Sequence, residues 1–133
     1  MRRILFIIVS LGALMLMGCG TSATEAVQTP APVPAEFAGA TTPFGVEAAA
    51  EGVEIFRANC ELCHGPQGHG DGVAGQSLEP QPKNLAALQA TVGDDFLFWR
   101  IHEGKPGTAM VAWNGILTDE QIWQIVSFIR TLK

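Results

Sequence analysis

The chain opens with an almost unbroken apolar run, Ile4 to Met17, interrupted only by Ser10 and Gly12 and preceded by Arg2-Arg3. Apolar patterning then stops. Gly20 to about Phe44 is rich in Thr, Ala, Ser and Pro, with Thr29-Pro30-Ala31-Pro32-Val33-Pro34 at its centre, and shows no period. Periodicity returns with Ala49, Gly52, Val53, Phe56 and Cys60, which share one helical face and predict a helix over Ala48–Ala58. Phe96 with Arg100 and Leu97 with Ile101 are i, i+4 pairs in a second predicted helix, Asp94–Glu103, stopped by Gly104 and Pro106. The clearest stripe is the last: Ile122, Ile125, Val126, Ile129 and Leu132, flanked by Phe128. It is introduced by Thr118-Asp119-Glu120-Gln121, a capping box in which Thr118 is the cap and Gln121 reaches back. Asp119 and Glu120 suit the positive end of this helix, and Arg130 and Lys133 the negative end.

Gly52 sits inside its helix at a cost of about 1 kcal/mol relative to alanine, so it predicts close approach of another helix. Ile125 and Phe128 are expected to meet Gly52 and Phe56 where the first and last helices cross.

The apolar run of about 14 residues has the length of a signal-peptide core, whereas a membrane-spanning helix needs about 20. It ends in Leu16-Met17-Gly18-Cys19, which resembles a bacterial lipobox. The organisation expected is therefore a lipoprotein signal peptide at 1–18, a lipidated flexible or polyproline-like linker at 19–44, and a globular domain at 45–133. An ordinary secretory signal with an incidental cysteine, or an uncleaved anchor, is the alternative. Acyl chains on Cys19 would hold the domain at the extracytoplasmic, periplasmic face of a bacterial membrane.

Charge narrows the partners. Eight Lys and Arg stand against thirteen Asp and Glu, a net −5 over 133 residues. Losing Arg2 and Arg3 with the signal makes the remainder more acidic still. That disfavours nucleic acid and anionic membrane surfaces and leaves a basic docking face on another protein as the expected complement.

The chemistry lies in Cys60-Glu61-Leu62-Cys63-His64, a C-x-x-C-H sequence. Two thiols at this spacing can add to the two vinyl groups of one porphyrin, and the adjacent imidazole is placed to reach the iron. This is the pattern of c-type haem attachment. Zinc sites and dithiol redox centres share C-x-x-C, but zinc would want two more soft ligands, and the only other cysteine is Cys19. Haem–thiol ligation implies assembly outside the cytoplasm.

Gly65 to Gly72 reads as a loop, with His69 more in keeping with a solvated side chain than a ligand. In Leu78 to Leu85 the carbonyl of Pro80 or of Pro82 is expected to accept the N–H of His64 and fix its orientation. Met110 is the only methionine outside the predicted signal peptide and sits in a loop between two helices. It is the expected sixth ligand, with core packing as the alternative and His102 as the competing ligand. Methionine–histidine ligation raises the reduction potential. Arg100 either pairs a haem propionate or is a solvated charge. A domain of about 89 residues has a thin core, so the chain without its haem is expected to be largely unfolded.

With Gly52-x-x-x-Phe56, Cys60-x-x-Cys63-His64, the proline run before Leu85, the Met110 loop and the Trp123/Phe128 helix in view, residues 48–133 resemble a class I monohaem cytochrome c. The resemblance implies an all-α cytochrome c fold, three to five helices around one covalent haem c, with His64 and Met110 as axial ligands. The wording CHGPQGHGDG and LFWRIHEGKPGTAM is similar to that of bacterial membrane-attached cytochromes. These include the monohaem lipoprotein subunit of alternative complex III, a quinol-oxidising complex.

The function expected is electron transfer and not catalysis: Fe(II)/Fe(III) cycling in a respiratory or photosynthetic chain, with redox proteins as partners. The protein would act as a tethered shuttle or as a fixed subunit of a quinol-oxidising membrane complex. A haem enzyme or gas-binding haem protein with an open sixth position is the alternative. It would need acid–base groups for which His69 and His102 are the only candidates.

Overall fold

The computed structural model describes residues 30–133. Cys19, the predicted signal peptide and the first part of the predicted linker lie outside them. The described residues form five α-helices and no strand: α1 (Ala49–Asn59), α2 (Glu61–His64), α3 (Leu85–Leu88), α4 (Asp94–Glu103) and α5 (Asp119–Ile129). The all-α expectation holds. Single 3-10 turns at Val46–Ala48 and Gly75–Ser77 complete the regular structure.

The core is built on α5. Ile122, Ile125 and Val126 are fully buried, and with Phe128 and Ile129 they form the apolar face read from the sequence. The capping box is formed in both directions: the Gln121 backbone N–H donates to Thr118 Oγ1 at 3.2 Å, and the Thr118 N–H donates to Gln121 Oε1 at 2.9 Å. The helix ends at Ile129, so Leu132 packs against the core from the turn beyond it.

Helix α1 crosses α5 at Gly52. A Cβ there would collide with the Gln124 carbonyl and lie 3.0 Å from Phe128 Cβ, so only glycine lets the two backbones meet. One turn on, Phe56 is 1 % exposed and its ring centroid lies 5.0 Å from that of Phe128. The atom that excludes a side chain at Gly52 belongs to Gln124; Ile125 joins the same core beside Phe56.

Helix α4 has the bounds that its pattern predicts, and it buries Phe96, Leu97, Phe98 and Ile101. Arg130 does more than complement a helix end. Its Nε lies 2.7 Å from Asp94 Oδ1, and its other nitrogens donate to the carbonyls of Gln89 and Val92. It therefore joins the end of α5 to the start of α4 and the turn before it.

The predicted linker differs from expectation in its second half. Residues 33–44 are packed onto the domain. Val33 and Phe37 contact the core, and Phe37 sits 6.1 Å from the Phe98 ring and 5.4 Å from the His102 ring. The Gly39 N–H donates to Asp95 Oδ2 (2.9 Å) and the Thr42 N–H to Asp94 Oδ2 (3.0 Å); the Thr42 hydroxyl meets that of Ser127 at 3.1 Å. Two aliphatic and aromatic anchors and three polar contacts hold a strap across α4 and α5, where composition suggested free coil.

Candidate cofactor site

Helix α2 is a single turn that carries Cys63 and His64, with Cys60 as its cap. The Cys60 N–H donates to the Phe56 carbonyl (2.7 Å) and the His64 N–H to the Cys60 carbonyl (2.9 Å), so the motif continues directly from α1. A backbone wall fixes it from behind. The Gly70 N–H donates to the His64 carbonyl (2.8 Å) and the Ala74 N–H to the Leu62 carbonyl (3.0 Å). Gly72 and Gly75 lie so close to the Cys63 backbone that any side chain there would overlap it. The glycines that the sequence marks as loop are thus also a packing surface against the C-x-x-C-H turn. The closely spaced glycines are the signal, and composition alone does not separate the two uses.

In front of α2 lies a cavity of about 470 Å³, within the range of cofactor pockets. Cys60, Cys63 and His64 line it, as does Met110 from the loop after α4. Its remaining surface is mostly apolar and includes Phe56 of α1, Leu85 and Leu88 of α3, Leu97 and Ile101 of α4, and Ile125 and Ile129 of α5. Trp113 also lines it; the Trp113 N–H donates to the carbonyls of Ile101 and His102, which folds the chain after Met110 back along α4. The Met110 loop is closed by Lys105 N–H donation to the Met110 carbonyl (2.8 Å) and Met110 N–H donation to Thr108 Oγ1 (3.2 Å).

The structure brings together all four residues singled out for the cofactor and leaves both competing histidines outside. His102 does not line the cavity. Its Nδ1 lies 2.7 Å from Glu103 Oε1, and its ring stacks on Phe98 at 5.6 Å. His69 is exposed, 3.4 Å from the Lys133 carbonyl.

Burial tunes both donor types. It holds the His64 imidazole below its ordinary pKa, with the Lys83 backbone opposing the shift in part. A neutral ring keeps a lone pair for a metal. No hydrogen bond joins His64 Nδ1 to the carbonyl of Pro80 or Pro82, and the backbone that opposes the shift is that of Lys83, the residue after them. That contact falls short of a formed hydrogen bond, and His64 Nδ1 is buried without a partner among the described residues. Burial, and secondarily the neighbouring Cys63, push the Cys60 thiol up to about 12. A dithiol redox centre needs the opposite shift, and no group of three His, Cys, Asp or Glu side chains gathers to hold a metal among the described residues.

An apolar cavity with two thiols and a neutral imidazole on one turn, and a thioether on a neighbouring loop, fits a covalently held haem. The family comparison agrees with that donor set. Residues 47–129 match the family described as cytochrome c oxidase, cbb3-type, subunit III.

The chain belongs to this cytochrome c family.

Cytochromes c6 from Parathermosynechococcus lividus and Synechococcus elongatus are each 31 % identical to it over 81 residues, covering 60 % of this chain and 85 % of theirs. That of Thermosynechococcus vestitus has the same identity over 66 % of its length. Among solved structures, a chain of the Kuenenia stuttgartiensis reducing HAO-like protein complex superimposes with a TM-score of 0.54 at 18 % identity. The match spans 80 % of this cytochrome but only 48 % of that chain, and it speaks for the fold alone. Membership implies a covalently bound haem c and makes the protein a haem electron-transfer protein with redox partners. The strap at 33–44 precedes the matched stretch.

Proposed function

We propose that this cytochrome is a membrane-tethered monohaem electron carrier of the extracytoplasmic, periplasmic face of a bacterial membrane. It would be anchored through lipid on Cys19 and serve a respiratory or photosynthetic chain. The observation that carries the reading is the convergence of Cys60, Cys63, His64 and Met110 on one apolar cavity.

Bound there, the haem supplies one-electron chemistry between Fe(II) and Fe(III). Cys60 and Cys63 would hold it through two thioethers. His64 presents a nitrogen kept neutral by burial, and Met110 a sulfur from the loop above Lys105. Were His64 and Met110 both to hold the iron, no position would be left for a substrate, which is why the proposal is a carrier and not an enzyme. Leu97, Ile101, Ile125 and Ile129 exclude water. A dry wall would penalise the more highly charged oxidised state, and thioether ligation by Met110 would act in the same direction, so both would raise the potential.

The wording shared with membrane-attached cytochromes favours a place beside a quinol-oxidising complex, as a shuttle or as a fixed subunit. Visible and near-infrared spectra of the purified protein in both oxidation states test the site. A low-spin c-type spectrum with the thioether-to-iron band, and colour that stays with the polypeptide in acidic organic solvent, are expected. Colour that extracts overturns the attachment. Co-purification with a quinol oxidoreductase in mild detergent separates subunit from shuttle.

A further inference from the structure

Both legs of the Met110 loop meet at the end of α4. The loop leaves that helix at Glu103, and its return leg is clipped to the His102 carbonyl, which accepts the Trp113 N–H (3.2 Å) and the Asn114 N–H (3.1 Å). Between these feet the loop has little packing of its own. Ala109 and Ala112 are exposed, Val111 is 58 % exposed, and Met110 is half-buried. A segment with few buried apolar contacts opens at low free-energy cost. Whatever steadies His102 therefore bears on how firmly Met110 is kept at the cavity.

His102 is steadied by a column of rings. Trp123 of α5 stacks on Phe98 of α4 at 4.2 Å, and Phe98 stacks on His102 at 5.6 Å. Phe37 of the strap closes the column against His102 at 5.4 Å. Contacts between rings at such distances add to what burial alone contributes. Phe37 is itself held in a turn, because its own N–H and that of Ala38 both donate to the Pro34 carbonyl at 3.0 Å. Farther along the strap, the N–H groups of Gly39 and Thr42 are bonded to Asp95 and Asp94, at the opposite end of α4. The strap thus grips α4 at both ends, through residues other than Leu97 and Ile101, which line the cavity. Two carboxylates also face His102, Glu103 Oε1 at 2.7 Å and Asp119 Oδ1 at 3.8 Å, both on exposed side chains, where such pairs contribute little.

We propose that the strap at 33–44 is a buttress for the Met110 loop: Phe37, packed on His102, fixes the end of α4 from which that loop hangs and so keeps Met110 at the cavity. Phe37 and His102 are positioning residues, and neither lines the cavity. The inference rests on the reading of Met110 as the sixth ligand and goes beyond it. The strap precedes the stretch matched to the family, so this support comes from a part of the chain that the family match does not include.

Imidazole added to the ferric holoprotein is the probe. It can reach the iron only where Met110 has moved away, so its apparent affinity rises with the open fraction of the loop. Loss of the thioether-to-iron band follows the titration. Phe37→Ala is expected to bind imidazole more tightly, by about 5–30-fold if the lost contact is spent wholly on the loop. Phe37→Leu should fall between that variant and the wild type. His102→Phe keeps a ring in the column and removes both nitrogens from Glu103 and Asp119, and it should bind imidazole as the wild type does. Gly52→Ala, at the crossing of α1 and α5, reports what a general loss of stability does by itself and should leave imidazole binding unchanged. Equal affinities in Phe37→Ala and the wild type overturn the buttress, as does a rise in Gly52→Ala that matches the rise in Phe37→Ala. A rise of that size in His102→Phe overturns the ring contact as the means of support. Should Phe37→Ala fail to retain haem, Phe37→Leu carries the same comparison. A wild-type holoprotein that lacks the thioether-to-iron band overturns the ligand reading, and the buttress with it.

Discussion

Arg130 Nε rests 2.7 Å from Asp94 Oδ1, so the last turn of α5 and the first turn of α4 share one ion pair. Neither side chain is freely solvated, and Arg130 also serves two carbonyls in the turn that precedes α4. Replacing it with methionine keeps much of the aliphatic stem but strands the carboxylate and both carbonyls. A loss of about 2–4 kcal/mol is expected from charged hydrogen bonds of this kind. Thermal unfolding of the holoprotein followed by far-UV circular dichroism measures it, and an unchanged midpoint would show that the pair contributes nothing.

Gly52→Ala sets two effects against each other. Helix propensity alone favours alanine by about 1 kcal/mol. The new methyl group would overlap the Gln124 carbonyl and crowd Phe128, and overpacking of this sort costs about 1–3 kcal/mol. The backbone carbonyl cannot rotate away, so net destabilisation is expected. A variant as stable as the wild type, in a denaturant titration, would mean that α1 and α5 have room to separate.

Met110→Ala should keep the covalent haem and lose the thioether-to-iron absorption band, with a lower reduction potential and rapid carbon monoxide binding by the reduced form. His64→Ala should abolish stable holoprotein. An unchanged spectrum in the first variant would remove Met110 from the iron.

The cavity also predicts what happens without a cofactor. Without the haem, the apolar side chains that line it from α1, α3, α4 and α5 would face water instead of the cofactor, a large loss for a domain whose whole stability is about 5–15 kcal/mol. Protein carrying Cys60→Ala and Cys63→Ala, produced without haem, should show little native helix by far-UV circular dichroism. A native-like spectrum would mean that the chain closes the space by itself.

The strap gives a further test. Phe37→Ala removes a half-buried ring from Phe98 and His102, with an expected cost of about 1–2 kcal/mol, below that of a fully buried phenylalanine. Limited proteolysis of the wild type should spare the bonds between Val33 and Phe44. Cleavage there at the rate of an unstructured peptide would contradict the docking.

The sequence made the helices legible where local chemistry sets them. The Thr118 box, the i, i+4 pairs within Asp94–Glu103, the stop at Gly104 and the glycine at Gly52 all state their own positions. The four residues on the cavity were legible too, because C-x-x-C-H has a spacing that porphyrin chemistry demands and Met110 stands alone. What stayed hidden depends on distant partners. Phe37 looks like linker until Phe98 and His102 are folded beside it, and Gly39 and Thr42 until Asp94, Asp95 and Ser127 meet them. Arg130 reads as a helix-end charge until Asp94 arrives from 36 residues away. Which backbone group between Pro80 and Lys83 acts on His64 was not legible, because the path of a proline-rich segment is set by what it wraps, not by its composition.

Residues 33–44 return to the domain, and that bears on how widely the protein can search. Chain committed to the domain surface is subtracted from any leash. Were the proposed anchor at Cys19 and a coil-like linker to hold, the mean reach would grow as the square root of free length, and counting 13 residues instead of 25 would shorten it by roughly a quarter. The volume swept would fall to about two-fifths, which would concentrate the cytochrome around partners embedded close by and withhold it from those farther off.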